Sequence, residues 1–184
     1  VSATATGLFA SADVARNGSG DVVDQNVTAT YTLANGSGGG LAGNYSLADT
    51  TGIQAAITPK ALTITGASVT TRDYDGTTGA TIDTNGASLG GLVTGQTLNV
   101  SGSGTFDSKN VGLRTATVTY SLADGSGGGL ASNYSLDGSF TLNGYIDPKA
   151  ITITAPTVSK TYDGSTAFDL DAADVSALDS TLQT

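Results

Sequence analysis

The chain has 184 residues, a net charge of −9 and no His, Cys, Met, Trp or Glu, so all 16 of its acids are Asp. These absences exclude His-based acid–base catalysis, thiol nucleophiles, Cys or His metal sites and disulfide frameworks. Seven scattered Lys and Arg are too few to grip nucleic-acid phosphates or an anionic membrane, and no apolar run reaches the ~18 residues of a membrane helix.

The opening VSATATGLFASADV has neither the basic head nor the apolar centre of a secretory signal. The sequence is therefore expected to be a fragment of something larger, or to have lost a targeting segment. Further along, Asn35 to Gly40 is glycine-rich and reads as a turn or flexible loop. Pro59 precedes Ala61-Leu62-Thr63-Ile64-Thr65, where Leu62 and Ile64 share one face and Thr63 and Thr65 the other, the period-two mark of a half-buried strand. Gly90-Gly91 and Gly102 to Gly104 read as further breaks between strands. From Thr115 to Leu122 the alternation returns, with Ala116, Val118, Tyr120 and Leu122 on one face and Thr115, Thr117, Thr119 and Ser121 on the other. A second glycine loop, Asp124 to Gly129, follows, and then Pro148 and a strand carrying Ile151 and Ile153. Leu170, Val175, Leu178 and Leu182 have partly helical spacing, which leaves room for one short helix per repeat; the counterpart Ile82 to Leu98 is much weaker as a helix.

Self-similarity is the main signal. The stretch from Tyr31 (YTLANGSGGGLAGNYSL) returns from Tyr120 (YSLADGSGGGLASNYSL) at a spacing of 89, which holds as far as Pro59/Pro148 and slips by one before Tyr74/Tyr162. Residues 61–149 read as one complete repeat, 1–60 as the C-terminal part of a repeat and 150–184 as the N-terminal part of the next. Phe9 aligns with Phe106 and Asp13-Val14 with Asn110-Val111, so Val1 falls opposite Leu98 while Gln183-Thr184 falls opposite Gln96-Thr97. The chain is expected to be one period of a longer array, cut in phase. The expected fold is all-β: tandem small antiparallel sheets or sandwiches joined end to end.

Tyr-Asp-Gly at 74–76 and 162–164, Asn-Tyr-Ser-Leu at 44–47 and 133–136, Ile-x-Pro-Lys-Ala at 57–61 and 146–150, and the run from Gly104 to Gly112 together resemble the YDG and MBG-like repeats of large bacterial surface adhesins. The resemblance covers nearly the whole chain. It implies an extracellular, tandemly repeated β domain in filamentous-haemagglutinin-like or autotransporter-like proteins, serving adhesion, cell aggregation or biofilm. The first, partial repeat departs from the pattern through an insertion around Arg16 to Gln25.

Several residue groups invite sharper readings. Asp73-Tyr74-Asp75-Gly76 could open a calcium site, but an EF-hand needs further acids and a distal Glu, and the second copy has Thr161 in place of Asp73. A structural turn is preferred, with the Asp bonding nearby backbone, Gly76 and Gly164 relaxing the chain, and Tyr74 and Tyr162 anchored on the core. Lys60 and Lys149 could form isopeptide links, but Asp147 is matched by Thr58 in the other copy, so solvated lysines are expected. Tyr31, Tyr45, Tyr120 and Tyr134 could stack on sugars, though matching positions in both copies suit anchoring better. The threonine row Thr115, Thr117 and Thr119 suits an ordinary solvent-facing sheet rather than an ice-binding surface. Paired Asp residues bracket no cleft, so no enzyme, catalytic residue, cofactor or metal site is assigned.

The expected role is the repeating unit of an extracellular bacterial fibre, a stalk or cohesive matrix whose partners are like neighbouring repeats. Two alternatives stand beside it. The repeats could themselves bind surface glycan or host protein through loops such as Gly125 to Gly129. Separate chains could also assemble into a filament by strand addition.

Overall fold

The computed structural model describes residues 1–152 and 159–167. Three strands come first, β1 (Ser2–Phe9), β2 (Gln25–Ala34) and β3 (Thr50–Ala55), paired antiparallel in that order. Short strands follow: β4 (Lys60–Ala61), β5 (Thr63–Thr65), β6 (Ser68–Val69), β7 (Arg72–Asp73), β8 (Gly79–Asp83) and β9 (Ser88–Gly90). The two long strands β10 (Leu98–Phe106) and β11 (Gly112–Asp124) are succeeded by β12 (Tyr134–Ser135) and β13 (Phe140–Asp147). The larger sheet has the order β6-β8-β10-β11-β13-β7, antiparallel except where β7 runs parallel to β13. It curls into a half-barrel, bringing Val69 of β6 against Gly144 of β13. Two small pairs, β12 with β4 and β5 with β9, complete the fold.

The architecture is all-β, as the alternation requires. Helical structure among the described residues is confined to two 3-10 turns, Ala42–Asn44 and Ala131–Asn133, at the Asn-Tyr-Ser-Leu motifs. Ile82 to Leu98 is strand, turn and strand rather than helix. Ile153, the Leu170 to Leu182 segment and Gln183-Thr184 lie outside the described residues.

The core occupies the concave face of the larger sheet: Ala80, Ile82, Phe106, Ala116, Val118 and Ile146, with Val69, Tyr74, Tyr120, Phe140 and Leu142 packed around them. Ala116 and Ile146 have no exposed surface. Burying a side chain of Ile size contributes about 1.5–3 kcal/mol, so a short list of such residues carries a small fold without disulfides. Tyr120 meets Phe140 edge-on at 5.0 Å between ring centroids. Thr115, Thr117 and Thr119 face outward between the buried positions of β11, as the period predicts.

Gly102 to Gly104 corrects the sequence reading. These residues are not a break but the interior of β10. A Cβ on Gly102 would sit 2.8 Å from Ile82 Cγ2 and 3.2 Å from the Tyr120 ring, and one on Gly104 would sit 2.8 Å from Ile82 Cδ1. Glycine is there because Ile82 lies flat across the strand, a close approach that any larger residue would obstruct. The loop Asp124 to Gly129 is likewise fastened rather than flexible. Thr97 N–H donates to the Ser126 carbonyl at 3.0 Å, Ser126 N–H donates to Thr97 Oγ1 at 2.8 Å, and Gly125 N–H donates to the Gly129 carbonyl at 2.9 Å. A Cβ on Gly125 or Gly129 would strike the Thr97 carbonyl.

The two sheets share one register. Phe9 pairs with Val27 and Gly7 with Ala29, as Phe106 pairs with Ala116 and Gly104 with Val118. Val27 faces Ile53 as Ala116 faces Leu142, and Gln25 faces Ala55 as Arg114 faces Gly144. Sheet β1-β2-β3 is thus a second copy of β10-β11-β13, with a bulge between Val27 and Ala29 where the copies diverge.

Candidate functional site

Among the described residues, polar side chains gather at the Tyr-Asp-Gly turn and at the junction between the sheets. In the turn, Asp75 Oδ1 accepts from both the N–H and the hydroxyl of Thr77, each at 2.8 Å. Those bonds, with Arg72 paired to the same carboxylate, hold Asp75 below the usual carboxylate range. Arg72 also donates to the Thr77 carbonyl at 2.6 Å and lies over the Phe106 ring, 5.7 Å from its centroid. Gly76, at φ +80°, lets the chain reverse. The second copy repeats this geometry with Lys160 on Asp163 at 2.9 Å and Ser165 N–H on Asp163 Oδ1 at 2.9 Å. Asp163 is held low by Lys160 first and by the Ser165 amide second.

The turn reading therefore stands, with one correction. Tyr74 packs on the core, but Tyr162 is 93% exposed and is not anchored on a core among the described residues. The core cluster that Tyr74 packs against has no counterpart beside Tyr162 among the described residues. The cation three residues before Asp was overlooked in the sequence. Its signal was present as Arg72 and Lys160, each separated by one residue from a Tyr-Asp-Gly that is followed by a hydroxyl residue.

The other sequence candidates are scattered. Lys60 and Lys149 are both exposed. Asp147 is half-buried, and its carbonyl accepts from Tyr74 N–H at 2.8 Å. Among the tyrosines, Tyr134 is 4% exposed; its hydroxyl donates to Gln96 Oε1 and accepts from Val93 N–H at 3.2 Å. Tyr31 and Tyr120 are half-buried on different sheets, while Tyr45 is 59% exposed. The four do not form one stacking surface. Among the described residues no three acidic side chains converge as a metal site would require.

The junction is the more specific feature. Asn133 Oδ1 accepts from Val14 N–H at 2.8 Å, and Asn133 Nδ2 donates to Asp13 Oδ1 at 2.7 Å. Arg16, at the start of the insertion, donates to the Ser132 carbonyl at 2.9 Å and the Gly20 carbonyl at 2.7 Å. The insertion, a hairpin closed by Asn17 and Asp21, therefore adds a clamp between the two sheets. Val14, Ile57, Lys60, Val93, Gln96 and Tyr134 help to line a recess of about 300 Å³ at this contact.

Residues 58–141, just under half of the chain, match the YDG domain family. The match spans the Tyr-Asp-Gly turn and most of the larger sheet. No curated protein and no solved structure matches the chain.

Proposed function

We propose that this chain is a structural repeat element of an extracellular bacterial adhesin or matrix fibre, acting as stalk or cell-to-cell cohesion. The observation that supports this best is the shared register of the two sheets, which makes the molecule a succession of like units joined through a polar contact. In tandem architectures each unit contacts chiefly its neighbours, and length is gained without a new fold.

The mechanism is mechanical. Tension enters near β4 and leaves after β13. Parallel β7 and β13 lie side by side, with Arg72 opposite Ile146, Asp73 opposite Asp147, and Tyr74 N–H on the Asp147 carbonyl. A pull that draws two parallel neighbours in opposite directions loads their hydrogen bonds together in shear instead of opening them singly. The Arg72–Asp75 turn holds the end of β7 in place. Ser and Thr on the convex face and the net charge of −9 keep a long array hydrated and self-repelling.

The test is display of the chain on a bacterium that does not otherwise clump. Cohesion between displaying cells supports the reading; dispersed cells at matched surface density contradict it. Binding to individual sugars on a glycan array would instead favour repeats that hold glycan themselves.

A further inference from the structure

The contact between the sheets has two halves, and the chain carries a second example of each. The first half is a corner. Asp13 N–H donates to Ser11 Oγ at 3.1 Å, and Gln25 Nε2 donates to the Asp13 carbonyl at 2.9 Å. The same corner recurs at the end of β10: Asn110 N–H donates to Ser108 Oγ at 3.2 Å, and Arg114 Nε donates to the Asn110 carbonyl at 2.7 Å. Gln25 and Arg114 stand at equivalent register positions, opposite Ala55 and Gly144. Both corners end in valine. Val14, whose N–H donates to Asn133, is 7% exposed, whereas Val111 is 41% exposed. Beside Val111 lie Leu113 and Tyr145, a cross-strand pair that is also exposed.

The second half is the 3-10 turn that presents Asn133. Asn133 N–H donates to the Leu130 carbonyl at 3.0 Å, and Ala131 N–H donates to Asp124 Oδ1 at 2.7 Å. Its copy in the first sheet has Asn44 N–H on the Leu41 carbonyl at 3.1 Å and Ala42 N–H on Asn35 Oδ1 at 2.7 Å. Asn44 is therefore presented as Asn133 is. Leu41, Tyr45 and Leu47 around it are all exposed, at 50% or more. One corner and one turn meet inside the chain; the other corner, at the larger sheet, and the other turn, at the first sheet, are left exposed.

The geometry points to an intermolecular copy of the internal contact: the Ser108–Val111 corner of one molecule docks on the Asn44 turn of a second copy of this chain. Val111 N–H donates to Asn44 Oδ1, and Asn44 Nδ2 donates to the amide oxygen of Asn110, which takes the place of the Asp13 carboxylate. The exposed apolar residues on each side lose solvent there, as Val14 and Tyr134 are buried at the internal contact. Such a contact joins unlike surfaces, so it extends into a row of molecules instead of closing as a dimer. It specifies the neighbour contact of the fibre reading and rests on that reading for its biological setting. Its geometry is independent of adhesion.

The absence of cysteine allows a clean test with the full chain. Variants N44C and V111C are prepared separately, mixed, and oxidised mildly. The mixed disulfide should exceed either symmetric disulfide at least tenfold; equal yields of all three overturn the proposal. In sedimentation velocity the wild-type mass should grow with concentration past that of a dimer. V111D, with an unchanged circular dichroism spectrum, should remain monomeric. A wild-type chain that stays monomeric, or a V111D chain that associates equally, overturns the proposal. Neither readout involves cells, so failure here and failure of surface-displayed chains to clump are separate results.

Discussion

Val14 and Val111 end the same corner in two copies of one sheet, yet Val14 is buried where its N–H donates to Asn133, whereas Val111 is exposed. Asn133 uses both its acceptor and its donor on the corner, so Asn133→Ala leaves the Val14 amide and the Asp13 side chain without those partners. An unsatisfied, largely buried polar group costs about 1–3 kcal/mol. The variant should lose protection at the Val14 amide in hydrogen exchange. Amides in the centres of β10 and β11 should be unaffected.

Gly104→Val should destabilise the larger sheet by about 1–3 kcal/mol, the usual cost of overpacking a filled core, because the added carbons meet Ile82 and Ala80. Pairing it with Ile82→Ala should recover part of that loss, since the obstructing side chain is then gone. Gly7→Val, at the equivalent place in the first sheet, meets only Val27, at 3.3 Å from its Cβ, and should cost less. Urea titration of the three variants checks the order.

Ile146→Ala removes a side chain with no exposed surface at the centre of the core. A loss of about 2–5 kcal/mol is expected, read as a lower urea midpoint. Ile151→Ala, at an exposed position in the next strand motif, should be close to neutral.

Stability should fall at both ends of the pH range, for different reasons. Asp75 is held below its ordinary value of 3.8 in the folded protein by Thr77 and Arg72. Its stabilising contribution is therefore complete well above 3.8 and fades as pH drops through and below that value. Asp75→Asn should flatten this acid limb and lower the melting temperature at pH 7. Tyr120 is shifted the other way, above 10.0, by burial. The unfolded phenol ionises first, so stability declines as pH rises past 10, and Tyr120→Phe should remove that part of the decline. Thermal melts from pH 2.5 to 11 check both.

The repeat and the alternating strands were legible because they rest on local pattern: Leu62 and Ile64, or Ala116 and Val118, declare their face two residues at a time. Gly102 and Gly104 were misread because a glycine that admits Ile82 from a distant strand looks, in one dimension, like a glycine that turns the chain. The exposure of Tyr162 beside the burial of Tyr74 was equally hidden, since identical motifs differ only in what the rest of the chain places over them. Arg72 and Lys160 were legible but passed over, as a surface cation usually carries little information. The Asn133 contact could not be read at all: it joins residues 119 apart, and nothing near Asn133 in the sequence names Asp13 or Val14.

The unit holding the larger sheet is expected to yield to tension as one mechanical element. Single-molecule stretching of the full chain, held at its two ends, tests this most directly. A discrete lengthening of somewhat less than ~300 Å is expected, since the Lys60 to Asp147 stretch reaches about 300 Å at roughly 3.3–3.6 Å per residue and the span it occupied when folded is subtracted. That step should move to lower force in Arg72→Ala, which loosens the end of β7. Gradual lengthening without a discrete step, or a step of the same force in Arg72→Ala, would contradict it.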